Sequence, residues 1–170
     1  MNLARLDLES LSLRIRERNK IALREAEISM LSAAVRLPAL AVTITFKPSV
    51  AGKHLTQNYD NAENAIGWFL ELLDTRCFKH SHRRFNFNVG STVVIEGLGN
   101  WERMHCHLSL EKPINMDINQ FKQIIRDVAR KVHFLGRIKI VPIRDYGWHL
   151  YMTKDKNREV LWSLCRKANP

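Results

Sequence analysis

A chain of 170 residues is about one domain long, and with 45% apolar residues it can bury a core, so disorder is not expected. Lys and Arg outnumber Asp and Glu by 27 to 17, a formal net charge of +10 that points to a polyanionic partner. Three cysteines without a CxxC pair exclude a disulfide scaffold or zinc ribbon, and the absence of a long apolar run excludes a membrane span or secretory signal.

Residues 1–36 hold no aromatic residue, Gly or Pro, and seven basic against five acidic residues. Their Ala, Leu, Glu and Arg content predicts a helix over 18–36, although its apolar residues form no single stripe. This segment reads either as an extra helix docked on the domain or as an accessory arm for DNA or a partner. Residues 37–170 form the domain proper.

The β-branched run ALAVTITF predicts a strand at 39–46, followed by a polar loop over 47–59. Ala62, Ala65, Ile66, Phe69, Leu70 and Leu73 recur at helical spacing and predict a helix over 61–74. A basic loop at 76–84 leads into RRFNFNV (83–89), read as a strand from its strict alternation, and STVVIEG (91–97) is a second strand. Gly97, Gly99 and Asn100 turn the chain into a third, ERMHCHLSLE (102–111).

Asp117 is a suitable N-cap for a helix whose apolar face is Ile118, Phe121, Ile125, Val128, Ala129 and Val132, with Gly136 placed just past its end. A strand, RIKIVPI (137–143), and a final helix over 145–167 complete the chain. The order β-α-β-β-α-β-α predicts an α+β fold. Its sheet is an open antiparallel one of about five strands, ferredoxin-like or like an RNA-recognition motif, with helices packed on one face and the other free for a ligand.

The chemistry concentrates in two segments. In the strand RMHCHL, alternation sends Met104, Cys106 and Leu108 toward the helices and leaves His105 and His107 together on the open face. If this strand pairs with 90–97 as a hairpin, Glu96 returns beside them, and two imidazoles with one carboxylate describe an open, catalytic metal site. Seven histidines in 170 residues can also produce an HxH pair by chance.

In WHLYMTKD, Tyr151 and Lys154 share a helix face. A tyrosine hydroxyl is a weak nucleophile, but a metal-polarised phosphate and a nearby ammonium would both assist its attack. An amphipathic helix with a half-buried Tyr151 is the plainer alternative. Tyr146 is the second candidate nucleophile, and His149 reads as a surface or phosphate-contacting residue. A second HxH, His80 and His82, lies among Lys79, Arg83 and Arg84, cations that favour phosphate over metal.

Three segments, LAVTITF (40–46), ERMHCHLSLEKP (102–113) and YMTK (151–154), resemble in order the three motifs of the HUH replication initiators (Rep proteins) of rolling-circle plasmids and small single-stranded DNA genomes. Glu96 matches the position of that family's third metal ligand. The resemblance spans about 39–156; Cys106, the middle residue of the HUH motif, is apolar enough to pack but not the commonest choice, and 1–36 has no counterpart.

It implies the HUH endonuclease fold and a single-tyrosine nickase and strand transferase acting on single-stranded or origin-hairpin DNA. Tyr151 would form a 5′-phosphotyrosine link and release a 3′ hydroxyl. Glu96, His105 and His107 would hold Mg²⁺ or Mn²⁺, and Lys154 would position the phosphate. Such a protein works with a helicase and polymerase on other chains, in the bacterial cytoplasm or, for a eukaryotic virus, in the nucleus.

HUH transposases and mobilisation relaxases are alternatives within the enzyme class. The rival outside it is a non-catalytic RNA-recognition-motif-like module, with Phe85 and Phe87 either stacking on bases or, as favoured here, in the core. For DNA contact the cations singled out are Lys79, Arg83, Arg84, Arg137, Lys139 and Lys156. Residues 137–170 alone hold eight basic and three acidic residues, so the charge gathers around the candidate nucleophile.

Overall fold

The computed structural model describes residues 3–50, 53–54, 58–97, 104–145, 147–155 and 157–169. Tyr146, Lys156, and Gly99 and Asn100 of the expected turn lie outside the described residues. Helix α1 (Leu3–Ala34) leads into strand β1 (Ala39–Phe46) and the short strands β2 (Ser49–Val50) and β3 (Lys53–His54). Then come α2 (Tyr59–Phe78), α3 (His80–Phe85), β4 (Ser91–Glu96), β5 (His105–Glu111), α4 (Ile118–Lys131), β6 (Leu135–Pro142), α5 (Gly147–Met152) and β7 (Arg158–Val160). The fold is α+β. Five strands form one antiparallel sheet in the order β6-β1-β5-β4-β7, and β2 pairs only with β3.

Period-two alternation decides the two faces of the sheet. Val42, Ile44, Val93, Ile95, Cys106 and Leu108 point to one face, where α2 and α4 cover them with Ile66, Phe69, Phe121 and Ile125. Each fully buried side chain of this size stabilises the fold by about 1.5–3 kcal/mol. Helix α2 starts at Asn58, whose side chain accepts a hydrogen bond from Asn61 N, and α4 starts at Asp117, which accepts from Asn119 N and Gln120 N.

The second face carries Thr43, Glu96, His105, His107 and Ser109, and it is not open throughout. The C-terminal end of α1 lies across part of it, with Leu31 against Val94, Met152 and Val160, and Val35 beside Ala39, Ala41 and Ile143. Glu27 of α1 pairs with Arg158 of β7. The N-terminal segment is thus one long helix whose last turns dock on the sheet and on α5, while its residues 13–26 are exposed.

Four other expectations change. The 76–84 segment is helical: α2 runs on to Phe78, and after Lys79 (φ 51°) α3 begins. RRFNFNV is no strand, because α3 takes it as far as Phe85 and Asn86 ends the helix in a left-handed conformation (φ 55°). The final helix over 145–167 is only α5, followed by β7, which exists because it pairs with the exposed edge of β4.

Gly136 does not cap α4 but lies inside β6, opposite an irregular register step in β1. A Cβ there would sit 2.7 Å from Thr45 Oγ1 and 2.9 Å from Thr45 O, and Thr45 Oγ1 already accepts from Arg137 N at 2.9 Å. Gly136→Ala should therefore destabilise the protein by about 1–3 kcal/mol. Chemical denaturation at constant m-value checks this, and an unchanged midpoint would contradict it.

A candidate metal centre beside a tyrosine

Two strand registers assemble the site. β4 pairs with β5 so that Glu96 lies opposite His105, and β5 pairs with β1 so that Thr43 lies opposite His107. The expected hairpin partnership is thus present. Glu96 Oε2 lies 3.1 Å from His105 Nε2 and 3.2 Å from His107 Nε2. One ligand atom from each of the three falls within 4.8 Å of the others, so a single small cation can touch all of them. Gly97, with φ 83°, turns the backbone immediately after Glu96.

Glu96 and His107 are buried, while His105 is partly open to solvent. Burial raises the Glu96 carboxyl pKa, partly countered by His105 and Lys154. Burial, reinforced by the positive charges of His105 and Lys154, pushes the His107 imidazole down to about 4. His107 is therefore neutral at pH 7, as a metal ligand must be.

Two features of the buried polar atoms fit a cation. Glu96 Oε1 has no hydrogen-bond partner among the described residues. Thr43 Oγ1 lies 3.1 Å from His107 Nδ1. When Nδ1–H donates to that hydroxyl, Nε2 turns a lone pair toward the Glu96 carboxylate, and a cation between the two acceptors satisfies both.

The pKa of His107 has a checkable consequence. Between its unfolded value near 6.5 and about 4, the unfolded chain binds a proton that the native imidazole refuses. This residue therefore costs stability progressively as pH falls through that window, while the raised Glu96 pKa acts in the opposite direction. In an NMR titration without metal, the His107 ring signals should stay still from pH 8 to pH 5. Titration near 6.5 would contradict the buried, neutral ring.

Helix α5 brings the tyrosine to this cluster. Asp145 Oδ1 accepts from Gly147 N at 2.8 Å where the helix starts, and Thr153 Oγ1 donates to His149 O at 2.9 Å where it ends. The buried His149 reaches Ser109 Oγ at 3.1 Å and Met152 packs beside Val94, so α5 is fastened to the sheet. His149 is an anchor of the helix, not the surface or phosphate-contacting residue expected; burial lowers its pKa.

The Tyr151 ring then meets His107 edge to face at 5.3 Å and stacks on Trp148 at 5.3 Å, 20° from parallel. Lys154, just beyond the helix, holds Nζ 3.9 Å from the centre of the Tyr151 ring. The Tyr151 side chain against it outweighs a slight desolvation and, with Glu96 and Asp155, holds the ammonium above the ordinary lysine range. The five residues expected to act together, Glu96, His105, His107, Tyr151 and Lys154, form one continuous cluster on the second sheet face.

No protein-family model, curated protein or solved structure matches this chain. The geometry of its own residues carries the functional reading.

The cations fall into two groups. Lys139 is in register with Thr43 on β6, and Arg137 is two residues before it, both exposed on the strand that edges the candidate site's face. Lys79, Arg83 and Arg84 instead belong to the α2–α3 junction and α3, in the helix layer behind the sheet. The 80–82 HxH also differs from its sequence reading, because carboxylates are at hand. His82 is buried, with Nε2 2.9 Å from Glu71 Oε1 and Nδ1 2.7 Å from Phe87 O. Asp74 is taken by Val89 N and Arg166. His82 therefore ties α3 to α2 as a structural group.

Phe85 is 55% exposed on α3 rather than in the core, and it contacts the partly buried Phe87. The shared strand face that a base-stacking pair would need is absent. Sequence reading passed over Thr43 and Trp148. Thr43 was detectable, since alternation in LAVTITF sets it opposite to Val42 and Ile44 and hence on the histidine face. Trp148, three residues before Tyr151, had helical spacing as its only signal. No helix among the described residues is long and apolar enough to cross a membrane.

Proposed function

We propose that this chain is a metal-dependent endonuclease and strand transferase for single-stranded DNA, of the HUH Rep type, that initiates rolling-circle replication. The observation that carries the proposal is the convergence of Glu96, His105 and His107 with a tyrosine ring 5.3 Å from His107 and an ammonium against that ring. A closed structural site would use four protein ligands, whereas three ligands with a partly exposed edge suit substrate access.

Mg²⁺ or Mn²⁺ bound by the three ligands would supply Lewis-acid polarisation of a DNA phosphate. Tyr151 Oη attacks the phosphorus as the bond to the preceding O3′ breaks. The hydroxyl proton ends on the departing O3′, directly or through water, giving a 3′ hydroxyl and a 5′-phosphotyrosine link. Lys154 stays charged through the step and stabilises the tyrosine oxygen as it loses its proton. The reverse attack by a 3′ hydroxyl rejoins strands, because the phosphodiester character of the link is kept. The exposed Arg137 and Lys139 would hold the strand by its phosphates, and a helicase and polymerase would act as separate partners.

Incubation with random-sequence single-stranded oligonucleotides, with Mn²⁺ or with chelator, tests this reading. A covalent protein–DNA product confined to the metal reaction is expected. Equal binding in both reactions with no such product would favour a non-catalytic binding module.

A further inference from the structure

The tyrosine has a second neighbourhood, on the side toward the edge of the sheet. Ala41 and Thr43 of β1, Lys139 and Val141 of β6, and Trp148 and Tyr151 of α5 enclose a cleft of about 510 Å³. That volume suits a ligand of nucleotide size. Its floor is apolar, with Val141 41% exposed, and its wall is the stacked pair of Trp148 and Tyr151. Thr43, which contacts His107, marks the end nearest the candidate metal ligands.

The rim is cationic. Lys139 and Arg144 are exposed, and neither forms an ion pair with a described residue. The one acid there, Asp145, spends Oδ1 on Gly147 N. β6 is an edge strand, so a polymer leaving the cleft meets no further strand. An aromatic wall, an apolar floor and uncompensated cations are what single-stranded nucleic-acid sites combine.

We propose that this cleft binds the base of a nucleotide adjoining the scissile phosphate, with Lys139 and Arg144 on the flanking phosphates, and so selects the position of cleavage. The inference rests on the proposed nuclease reading, since Tyr151 is shared by the cleft and the candidate metal centre. The occupant follows from charge complementarity and from the aromatic wall.

The test starts from an oligonucleotide selected by the protein from a random single-stranded pool. A single abasic residue is then walked along it, and binding is measured for wild type, Val141→Trp and Lys139→Ala. Val141 is exposed on an edge strand, so the larger ring fills the cleft without entering the core, and thermal unfolding verifies the fold.

For wild type, an abasic residue at one position should weaken binding roughly tenfold, the loss expected for one stacked base. Val141→Trp should bind the intact strand roughly tenfold more weakly and no longer distinguish the abasic position. Lys139→Ala should weaken binding while keeping that distinction. A uniform abasic scan, or wild-type behaviour of Val141→Trp, would overturn the proposal. A covalent adduct with a uniform scan sinks the cleft and leaves the nuclease. No adduct, with a position-specific penalty that Val141→Trp removes, sinks the nuclease and the cleavage-selecting role, and leaves the cleft as a base-binding site only. Failure to select any strand sinks both.

Discussion

Tyr151→Phe should abolish covalent protein–DNA adduct formation and metal-dependent nicking, with a loss on the order of 10⁴-fold or more, while leaving affinity for single-stranded DNA within a few-fold of wild type. The Tyr151 ring is half exposed, stacks on Trp148 and meets His107, and a phenylalanine preserves all of these contacts. The contact of the Lys154 ammonium with the ring face is kept as well, so only the nucleophilic oxygen disappears. The variant therefore isolates chemistry from folding. Lys154→Met removes the ammonium while keeping most of the stem, and a smaller loss, about 10–10³-fold, is expected. Gel analysis of end-labelled DNA separates the two effects from binding. Adduct formation by Tyr151→Phe would dismiss Tyr151 as the nucleophile and direct attention to Tyr146.

Glu96→Gln should have opposite effects on metal binding and on the metal-free fold. The native carboxylate is buried, its pKa is raised by that burial, and one oxygen lacks a hydrogen-bond partner among the described residues. Such a group destabilises a protein that has no cation to place beside it. Replacing it with a neutral amide of the same shape should leave the metal-free melting temperature unchanged or raise it. The same substitution should weaken Mn²⁺ binding at least about a hundredfold.

Wild type at a hundredfold excess of metal over Kd should gain about 2.7 kcal/mol. For a chain of this size that corresponds to roughly 2–4 °C per kcal/mol, while the variant at the same metal concentration should gain no more than about 0.4 kcal/mol. Thr43→Val, which removes the oxygen beside His107 Nδ1, should cost about 10–100-fold in metal affinity. If Glu96 were instead a structural partner of the two histidines, Glu96→Gln would lower the metal-free melting temperature and wild type would show no metal-induced rise. Calorimetric scans with and without Mn²⁺ decide between these outcomes.

The parts of the fold that were legible in the amino-acid order were those governed by local periodicity. ALAVTITF became β1 over the expected residues, Asp117 capped α4, and the alternation in β5 placed both imidazoles on one face. The hairpin between β4 and β5 followed from the same period, which is why Glu96 could be named with its two partners.

What was not legible depended on tertiary contacts. RRFNFNV alternates strictly, yet His82 bonds to Glu71 and to the Phe87 carbonyl, and positive-φ residues at both ends, Lys79 and Asn86, bound the six-residue helix that takes in its first three residues. The three residues of β7 are too few to carry a pattern of their own and become a strand by pairing with β4. That α1 docks was one of the two readings of residues 1–36, but its place on α5 and the sheet was hidden. Its apolar residues form no stripe, and only the last turns, around Leu31 and Val35, meet the sheet. Lys79, Arg83 and Arg84 of the basic 76–84 segment are expected to contact DNA, whereas the α2–α3 junction and α3 carry them in the helix layer behind the sheet. Charge alone does not report which layer a cation occupies.

The most direct measurement is mass spectrometry of the protein after reaction with single-stranded DNA and nuclease trimming, run in parallel with Mn²⁺ and with chelator. A nucleotide mass is expected on the peptide containing Tyr151, localised to that residue by fragmentation, in the metal reaction only. No adduct in either reaction, or an adduct on any other residue, would contradict the proposed function.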